Sequence, residues 1–228
     1  MRSLPFQKNG QKDYIDEMIA GLTLRVGKRT KTFMLVVGSR YIRASLTAVS
    51  KSARHMPSQA VPTIITERLT LRAPVAGDFP AYARLLASPR AKGIGGPYAQ
   101  RAAWGKFCHG VACWDLFGHG ALMMDLLATG ECVGLVDISH GPLFPEKELG
   151  WLVYEGHEGQ GYATEAAEAL RDWAARELGL FGLVSYVDPE NRRSIAVAER
   201  LGARLDPGAP KQDPGDLVYR HRAQQKPQ

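Results

Sequence analysis

EGQGYATEAA, residues 158–167, joins a glycine-rich turn to an alanine-rich segment and follows closely on an apolar strand, Leu149 to Tyr154. Glycines at positions 159 and 161 allow backbone angles that a Cβ forbids. A helix that begins near Tyr162 presents amide groups without a partner inside the helix, and its dipole is positive at this end. The stretch therefore predicts an anion site suited to a phosphate or pyrophosphate.

The spacing of this turn excludes the two commonest phosphate loops. A Walker loop requires a lysine directly after its last glycine, whereas Tyr162 follows Gly161. A dinucleotide-binding fingerprint requires a third glycine where Thr164 stands. Taken alone, the turn is better read as the glycine-rich entry of an ordinary helix, so the surrounding residues have to decide.

The surrounding residues contain further motifs in a fixed order. They are TERLTLR (66–72), DFPAY (78–82), VGLV (133–136), ELGWLV (148–153), GQGYATEA (159–166), NRRS (191–194) and RLGA (200–203). In this order they resemble the strands, the pyrophosphate loop and the closing helix of the GCN5-related N-acetyltransferase (GNAT) superfamily. Within it, they are similar to the RimJ/RimL-like group of ribosomal-protein alanine N-acetyltransferases. The resemblance runs from about Ile64 to about His221.

This resemblance implies an α+β fold with a mostly antiparallel, mixed central sheet that is splayed between its fourth and fifth strands and flanked by helices. It also implies transfer of an acetyl group from acetyl-CoA to a primary amine, on a protein N-terminus or a small molecule. The expected mechanism is direct attack in a ternary complex, without a metal. The alternative is a non-catalytic acyl-CoA-binding or nucleic-acid-associated protein that uses the basic N-terminal segment.

The resemblance also assigns the cofactor-binding residues. The backbone amides around Leu152 and Val153 would bind the thioester oxygen and the pantetheine arm, and Asn191 would hydrogen-bond the same arm. The pyrophosphate would lie on the turn, at Gly159, Gln160, Gly161, Tyr162, Ala163 and Thr164. Glu158 departs from the family pattern, which prefers Arg or Gln there. A carboxylate repels a pyrophosphate unless it is offset, and His157, Arg192 and Arg193 are the candidates to offset it.

Glu148 is the predicted general base, because it occupies the strand position where members of the family often carry a glutamate. Alternation along the strand places Glu148 on one face with Gly150, Leu152 and Tyr154, and Leu149 on the other. Burial among apolar neighbours would raise its pKa towards values useful to a base. An exposed strand glutamate with no role is the alternative.

The group that protonates the departing thiolate is not evident. The family's commonest acid is a tyrosine seven residues after the asparagine, where this chain has Ala198. Ser194 is the candidate that the resemblance offers, since related sequences carry a serine there. Asn191 could instead be a helix cap or turn residue after Asp188-Pro189, and both readings remain open.

The chain of 228 residues, 45% hydrophobic, can bury one good core. We expect an N-terminal extension over 1–58 and an acetyltransferase domain over 59–224, in a cytoplasmic monomer or homodimer without a membrane span.

The patterns predict helices over 78–88, 100–117, 162–178 and 190–201, and strands over 65–72, 122–127, 132–139, 147–154, 181–187 and 217–219. In the helix over 100–117, Trp104 and Phe107 belong to an aromatic stripe that is read as core or as the border of the acceptor cleft.

Positive charge is concentrated in residues 1–55, which hold 11 Lys and Arg against 3 Asp and Glu; the rest holds 18 against 20. Nucleic-acid contact is therefore expected only through this segment. Residues 21–26 and 28–37 predict two strands joined by a basic turn, which weakly resemble the arm-type DNA-binding region of phage-type tyrosine recombinases. A fusion remnant, a disordered basic tail and a stretch upstream of the working protein are equally good interpretations.

The three cysteines fit neither a disulfide framework nor a Cys-x-x-Cys metal site. Cys108, His109 and Cys113 lie at helical spacing and could be imagined as metal ligands. Buried cysteines acting as small apolar residues are the preferred interpretation.

Overall fold

A computed structural model describes residues 32–37, 40–45 and 60–221. The chain divides into two compact units, residues 1–55 and 56–228. In the first unit, strands β1 (Thr32–Val37) and β2 (Arg40–Ser45) form an antiparallel hairpin. The strand predicted over 21–26 lies outside the described residues, and β2 was not predicted.

The strands of the second unit form one eight-stranded mixed sheet. They are β3 (Ile64–Ile65), β4 (Leu69–Arg72), β5 (Ala121–Leu126), β6 (Cys132–Ser139), β7 (Glu148–Val153), β8 (Val184–Val187), β9 (Arg204–Leu205) and β10 (Leu217–Arg220). Their spatial order is β3-β4-β5-β6-β7-β8-β10-β9, and every neighbouring pair is antiparallel except β7 and β8. The predicted α+β class with a mostly antiparallel, mixed sheet is confirmed.

The helices flank this sheet. They are α1 (Phe79–Ala87), α2 (Gln100–Phe117), α3 (Tyr162–Leu178) and α4 (Arg192–Arg200), with 3-10 segments over Ala76–Asp78 and Pro89–Ile94. The predicted bounds of α2 and α3 agree with the structure, and those of α1 and α4 differ by one or two residues at the ends. No helix in the described part of the chain is long and apolar enough to cross a membrane.

The strand predicted over 65–72 is divided into β3 and β4. The amide of Thr66 donates to the carbonyl of Leu69 at 2.9 Å, which closes a tight turn between the two strands. Asp78 stands at the N-cap of α1 as predicted, but its carboxylate accepts from the amide of Val75 and from Arg72 instead of the helix amides. An ion pair with Arg72 thus replaces the helix cap that the pattern suggested.

Two cores lie on opposite faces of the sheet. Leu149, Trp151 and Val153 of β7 belong to the core that packs against α3, whereas Leu152 and Tyr154 belong to the core against α1 and α2. This division is the alternation predicted for the strand. Each fully buried large aliphatic side chain contributes roughly 2 kcal/mol to such cores.

The sheet opens between β7 and β8. The two strands pair in parallel at Glu148 and Val184, where the amide of Val184 donates to the carbonyl of Lys147 at 3.0 Å. One residue further on, the Ser185 hydroxyl replaces the ladder and donates to the Leu149 carbonyl at 2.6 Å. Beyond this point the strands diverge. Since β3 and β4 together correspond to one predicted strand, this is the splay expected between the fourth and fifth strands.

Candidate active site

A cavity of about 60 Å³ lies where β7 and β8 diverge. It is bordered by the first residues of β7, by the last residues of β8, by the start of α4 and by the end of the 3-10 segment Pro89–Ile94. Its lining includes Glu148, Gly150, Ser185, Tyr186, Asn191 and Ser194. Three of the predicted functional residues, Glu148, Asn191 and Ser194, therefore meet at one cavity although they are distant in sequence.

Glu148 is half-buried and lines this cavity. Burial and, to a lesser degree, the nearby charge of Asp137 raise the pKa of its carboxyl to about 8, against the opposing charge of Lys106. The backbone amide of Tyr186 lies near the carboxylate and opposes the rise of its pKa. A carboxylate with this pKa can accept a proton from an ammonium group near neutral pH.

Asp137 is a second carboxylate, near Glu148 but outside the cavity lining, which sequence reasoning missed. It lies opposite Gly150 in the β6–β7 ladder, and its Oδ2 accepts from the Ser139 hydroxyl at 2.5 Å. Burial raises the pKa of Asp137, although the Ser139 hydrogen bond and the charges of His109 and Lys106 oppose the shift. The available signal was two polar residues, Asp137 and Ser139, at alternate positions of an otherwise apolar strand.

Asn191 caps α4. Its side-chain oxygen accepts from the amide of Ser194 at 3.1 Å, so the helix-cap reading is present in the structure. The same side chain lines the cavity, which leaves its amide nitrogen available to a ligand. Ala198, where the family commonly has tyrosine, is fully buried against Val187 and Tyr219 and contributes no polar group to the site.

The glycine turn has the geometry of an anion site. Gly159 and Gly161 have φ of 77° and 87°, which side chains other than glycine rarely adopt. The first hydrogen bond into α3 runs from the amide of Glu165 to the carbonyl of Gly161, at 3.1 Å. The amides from Tyr162 to Thr164 therefore have no partner within the helix, and they lie at the positive end of its dipole.

Arg68 holds the turn from the β4 side. It donates to the carbonyl of Gln160 at 2.9 Å and pairs with Glu165 at 2.7 Å. Its guanidinium lies over the ring of Tyr162, 4.9 Å from the centroid. The side chain thus places a positive charge beside the turn and fixes its shape, a role that the sequence did not indicate.

Glu158 is offset by cations, but chiefly by one that the sequence did not identify. Arg90 lies 2.5 Å from its carboxylate and Arg193 lies 3.9 Å away, while the amide of Gly156 donates to it at 2.8 Å. His157, a predicted candidate, pairs with Glu131 at 3.3 Å. Arg90 also donates to the carbonyl of Val153 at 2.9 Å, and so ties the 3-10 segment to the end of β7.

The backbone of β7 distinguishes the residues that face the splay. The amide of Tyr154 donates to the carbonyl of Val133 on β6, whereas the carbonyls of Leu149 and Val153 accept side chains from the other side. Because backbone groups alternate along a strand, Trp151 and Val153 direct their amides to the splay and Leu152 directs its own to β6. The geometry favours Trp151 and Val153 as donors over Leu152.

Metal ligation has no support in the described parts of the chain, where no group of three or more His, Cys, Asp or Glu side chains could hold an ion. Cys113 is buried, and its sulfur lies 3.5 Å from Nε2 of His109. Cys108 and Cys132 are partly buried.

Comparison with known proteins places these features in a family. A family model described as the acetyltransferase (GNAT) domain matches residues 68–204. An acetyltransferase from Agrobacterium tumefaciens, known as a crystal structure, is 64% identical; the alignment covers 72% of this chain and 96% of that one, with a TM-score of 0.70. The resemblance of residues 1–55 to a recombinase arm lies outside the matched range and stays a prediction.

Two further matches have a narrower scope. The uncharacterized N-acetyltransferase YnaD of Bacillus subtilis is 33% identical over 59 residues, 26% of this chain, so the match spans only 35% of that curated relative. RimL, a ribosomal-protein α-N-acetyltransferase whose structure contains coenzyme A, is 21% identical over 72% of this chain and 98% of its own, with a TM-score of 0.54. The likeness to RimL is one of fold alone, and membership of the RimJ/RimL group stays a prediction.

Proposed function

The chain belongs to the GNAT acetyltransferase family, and from this premise we propose that it transfers an acetyl group from acetyl-CoA to a primary amine. The proposed acceptor is a protein N-terminal amine or a small-molecule amine. The observation that carries the proposal is the Glu148 carboxylate, whose pKa burial raises to about 8, at the cavity where β7 and β8 diverge. A base in that range suits an ammonium acceptor, which must lose a proton before it becomes a nucleophile.

The residues around the splay suit acetyl-CoA. The turn formed by Gly159, Gln160, Gly161, Tyr162, Ala163 and Thr164 offers free amides to the pyrophosphate, and Arg68 adds a nearby positive charge. Val153 and Trp151, with Leu152 between them, would line the pantetheine arm with backbone groups, and the amide nitrogen of Asn191 would donate to it. In this proposal acetyl-CoA supplies the activated acetyl group, and the chain supplies the base and the hydrogen-bond donors.

Each step of the transfer then has a candidate residue. Glu148 accepts the proton of the acceptor ammonium, directly or through a water molecule. The freed nitrogen attacks the thioester carbonyl carbon in a ternary complex; a C–N bond forms, the C–S bond breaks, and the second proton that the nitrogen loses passes to the departing sulfur. The backbone amides facing the splay donate to the carbonyl oxygen as it gains negative charge. The Ser194 hydroxyl is the proposed donor to the departing sulfur, since Ala198 cannot serve.

The test is an acceptor screen with the full-length chain and acetyl-CoA. The panel contains peptides with free N-termini, monoamines and polyamines, and the readouts are thiol release and a mass increase of one acetyl group in the acceptor. We expect acceptor-dependent thiol release matched by acetylated product. Reactions without acceptor control for thioester hydrolysis. Binding of acetyl-CoA without transfer to any member of the panel would support the non-catalytic alternative instead.

A further inference from the structure

Asp137 lies beside Glu148 on the face of the sheet that borders α1 and α2. In the β6–β7 ladder, Glu148 stands opposite Ser139 and Gly150 stands opposite Asp137. Residues two apart on a strand share a face, so Asp137, Ser139 and Glu148 form one polar group there. Side chains on diagonal positions of neighbouring strands lie within reach of each other.

Gly150 leaves the space that Asp137 occupies. A Cβ built on Gly150 would lie 2.5 Å from Oδ1 of Asp137, closer than real Cβ contacts. The carboxylate therefore lies over Gly150, a residue that lines the cavity together with Glu148. Its other oxygen accepts from the Ser139 hydroxyl, which fixes its direction.

The groups around the two carboxylates come from several elements. Lys106 and His109 face them from α2, Tyr82 from α1, Tyr186 from β8 and Asp216 from the segment before β10. Lys106 lies over the ring of Tyr98 at 4.6 Å, and within residues 60–221 neither Asp137 nor Glu148 forms an ion pair. Two unpaired carboxylates in a shielded place resist simultaneous ionisation, so each raises the proton affinity of the other.

We propose that Asp137 is a positioning residue for the reaction, which acts through Glu148 and controls the pH at which Glu148 can take a proton from the acceptor. The inference rests on the proposed acetyl transfer. Near neutral pH the two carboxylates share a proton and carry a single negative charge, which attracts an ammonium acceptor. When the acceptor ammonium gives one proton to Glu148, the carboxylate pair becomes neutral. The amine nitrogen then forms the C–N bond and loses its second proton to the sulfur as the C–S bond breaks. A neutral amide and the CoA thiol leave, and the proton on the carboxylate pair returns to solvent.

The first measurement follows the Glu148 carboxyl by NMR titration of the full-length chain labelled with carbon-13 in glutamate side chains; E148Q identifies the signal. In D137N, which keeps the size of the side chain, the pKa of Glu148 is expected to fall from about 8 to about 7. The acidic limb of the pH profile of kcat/KM is expected to move in the same direction. An unchanged pKa of Glu148 in D137N would overturn the inference.

A second variant reaches the same contact from the other strand. In G150A the added Cβ displaces the flexible end of Asp137, so the pKa of Glu148 should fall again even though both carboxylates remain. An unchanged pKa in this variant would count against the contact. Asp172→Asn, a carboxylate on α3 that pairs with Arg171, is the matched control and should leave the pKa of Glu148 as it is.

The titration needs no acceptor, which separates the two proposals. A shifted pKa without acetyl transfer to any acceptor would overturn the proposed function. Transfer that proceeds with an unshifted pKa in both variants would overturn the role of Asp137 and leave the proposed function standing.

Discussion

Two glutamates, one at the start of β7 and one in the glycine turn that follows it, have different surroundings. Glu148, at the start of the strand, has no ion-pair partner in the described part of the chain, and burial raises its pKa to about 8. Glu158, in the glycine turn after the strand, lies beside Arg90 and Arg193. Burial alone would raise the pKa of Glu158, but backbone amides and the two arginines outweigh it and lower the pKa.

The difference fits the proposal that Glu148 takes part in the reaction and that Glu158 holds the loop. A carboxylate that has to take up a proton must be kept away from cations, because a cation would lower its proton affinity. A carboxylate beside a pyrophosphate site must be neutralised, because its charge would otherwise repel the ligand. The contrast predicts that variants of Glu148 change the chemical step, and that variants around Glu158 change the affinity for the cofactor.

The largest expected effect is the loss of the base in E148Q. We expect kcat to fall by about 10² to 10⁴-fold, the usual contribution of a general base. The dissociation constant of acetyl-CoA should stay the same, because the glycine turn is untouched. Steady-state kinetics with an acceptor from the screen and calorimetric titration of acetyl-CoA measure the two quantities.

Glu177→Gln controls for this experiment, since Glu177 is an exposed glutamate near the end of α3. It should retain full activity. Equal rates in E148Q and the parent chain would remove Glu148 from the mechanism. A large loss of acetyl-CoA affinity in E148Q would instead assign Glu148 a role in cofactor binding.

The second effect is on stability and follows from the same pKa. The folded-state pKa of Glu148 is raised from 4.5 to about 8, so the folded chain binds this proton more tightly than the unfolded chain does. The contribution of this carboxyl to the free energy of unfolding is therefore fully present below about pH 4.5, and it is lost as the pH rises to about 8. E148Q lacks this titration and should be more stable than the parent above pH 8, by on the order of 2 kcal/mol for a half-buried group.

Chemical denaturation at pH 5, 7 and 9 measures this difference. We expect the free energies of unfolding of E148Q and the parent to be close at pH 5 and to separate at pH 9. Parallel pH dependences would show that the carboxyl titrates alike in the folded and unfolded chains, and the contrast with Glu158 would then lose its basis.

Local signals in the sequence account for much of the fold. The bounds of α3 were predicted to the residue because Gly161 and Gly179, both with positive φ, stand at its two ends. The alternation along β7 was predicted because the period of a strand follows from its backbone. The division of β3 from β4 was missed, since Thr66 forms its turn with help from Glu165, 99 positions away.

The site was predictable in its parts and not in its pairings. Motifs indicated Glu148, Asn191 and the glycine turn, each from residues close together in the chain. Arg90 and Asp137 gave no such signal, because their meaning depends on partners across the fold. Arg90 reaches Val153, 63 positions away, and Asp137 gains its surroundings only when β6 pairs with β7.

The smallest expected effect is on the affinity for acetyl-CoA, in the variant Arg90→Ala. Without Arg90, the carboxylate of Glu158 keeps only the more distant Arg193 and faces the proposed pyrophosphate site with most of its charge. The ion pair is partly exposed, so we expect the dissociation constant of acetyl-CoA to rise only about threefold, with kcat unchanged. Calorimetric titration at low ionic strength measures it, because salt would screen the repulsion.

A double variant decides whether charge is the cause. If repulsion by Glu158 weakens binding, then adding Glu158→Gln to Arg90→Ala should restore most of the affinity, because the unpaired charge is gone. If Arg90 acts mainly by holding the carbonyl of Val153, the second substitution should restore nothing. Lys92→Ala is the matched control, since Lys92 carries the same charge on the same segment but pairs with Glu190 in full solvent. An equal loss of affinity in Lys92→Ala would mean that the overall positive charge of the segment, and not the neutralisation of Glu158, sets the affinity for acetyl-CoA.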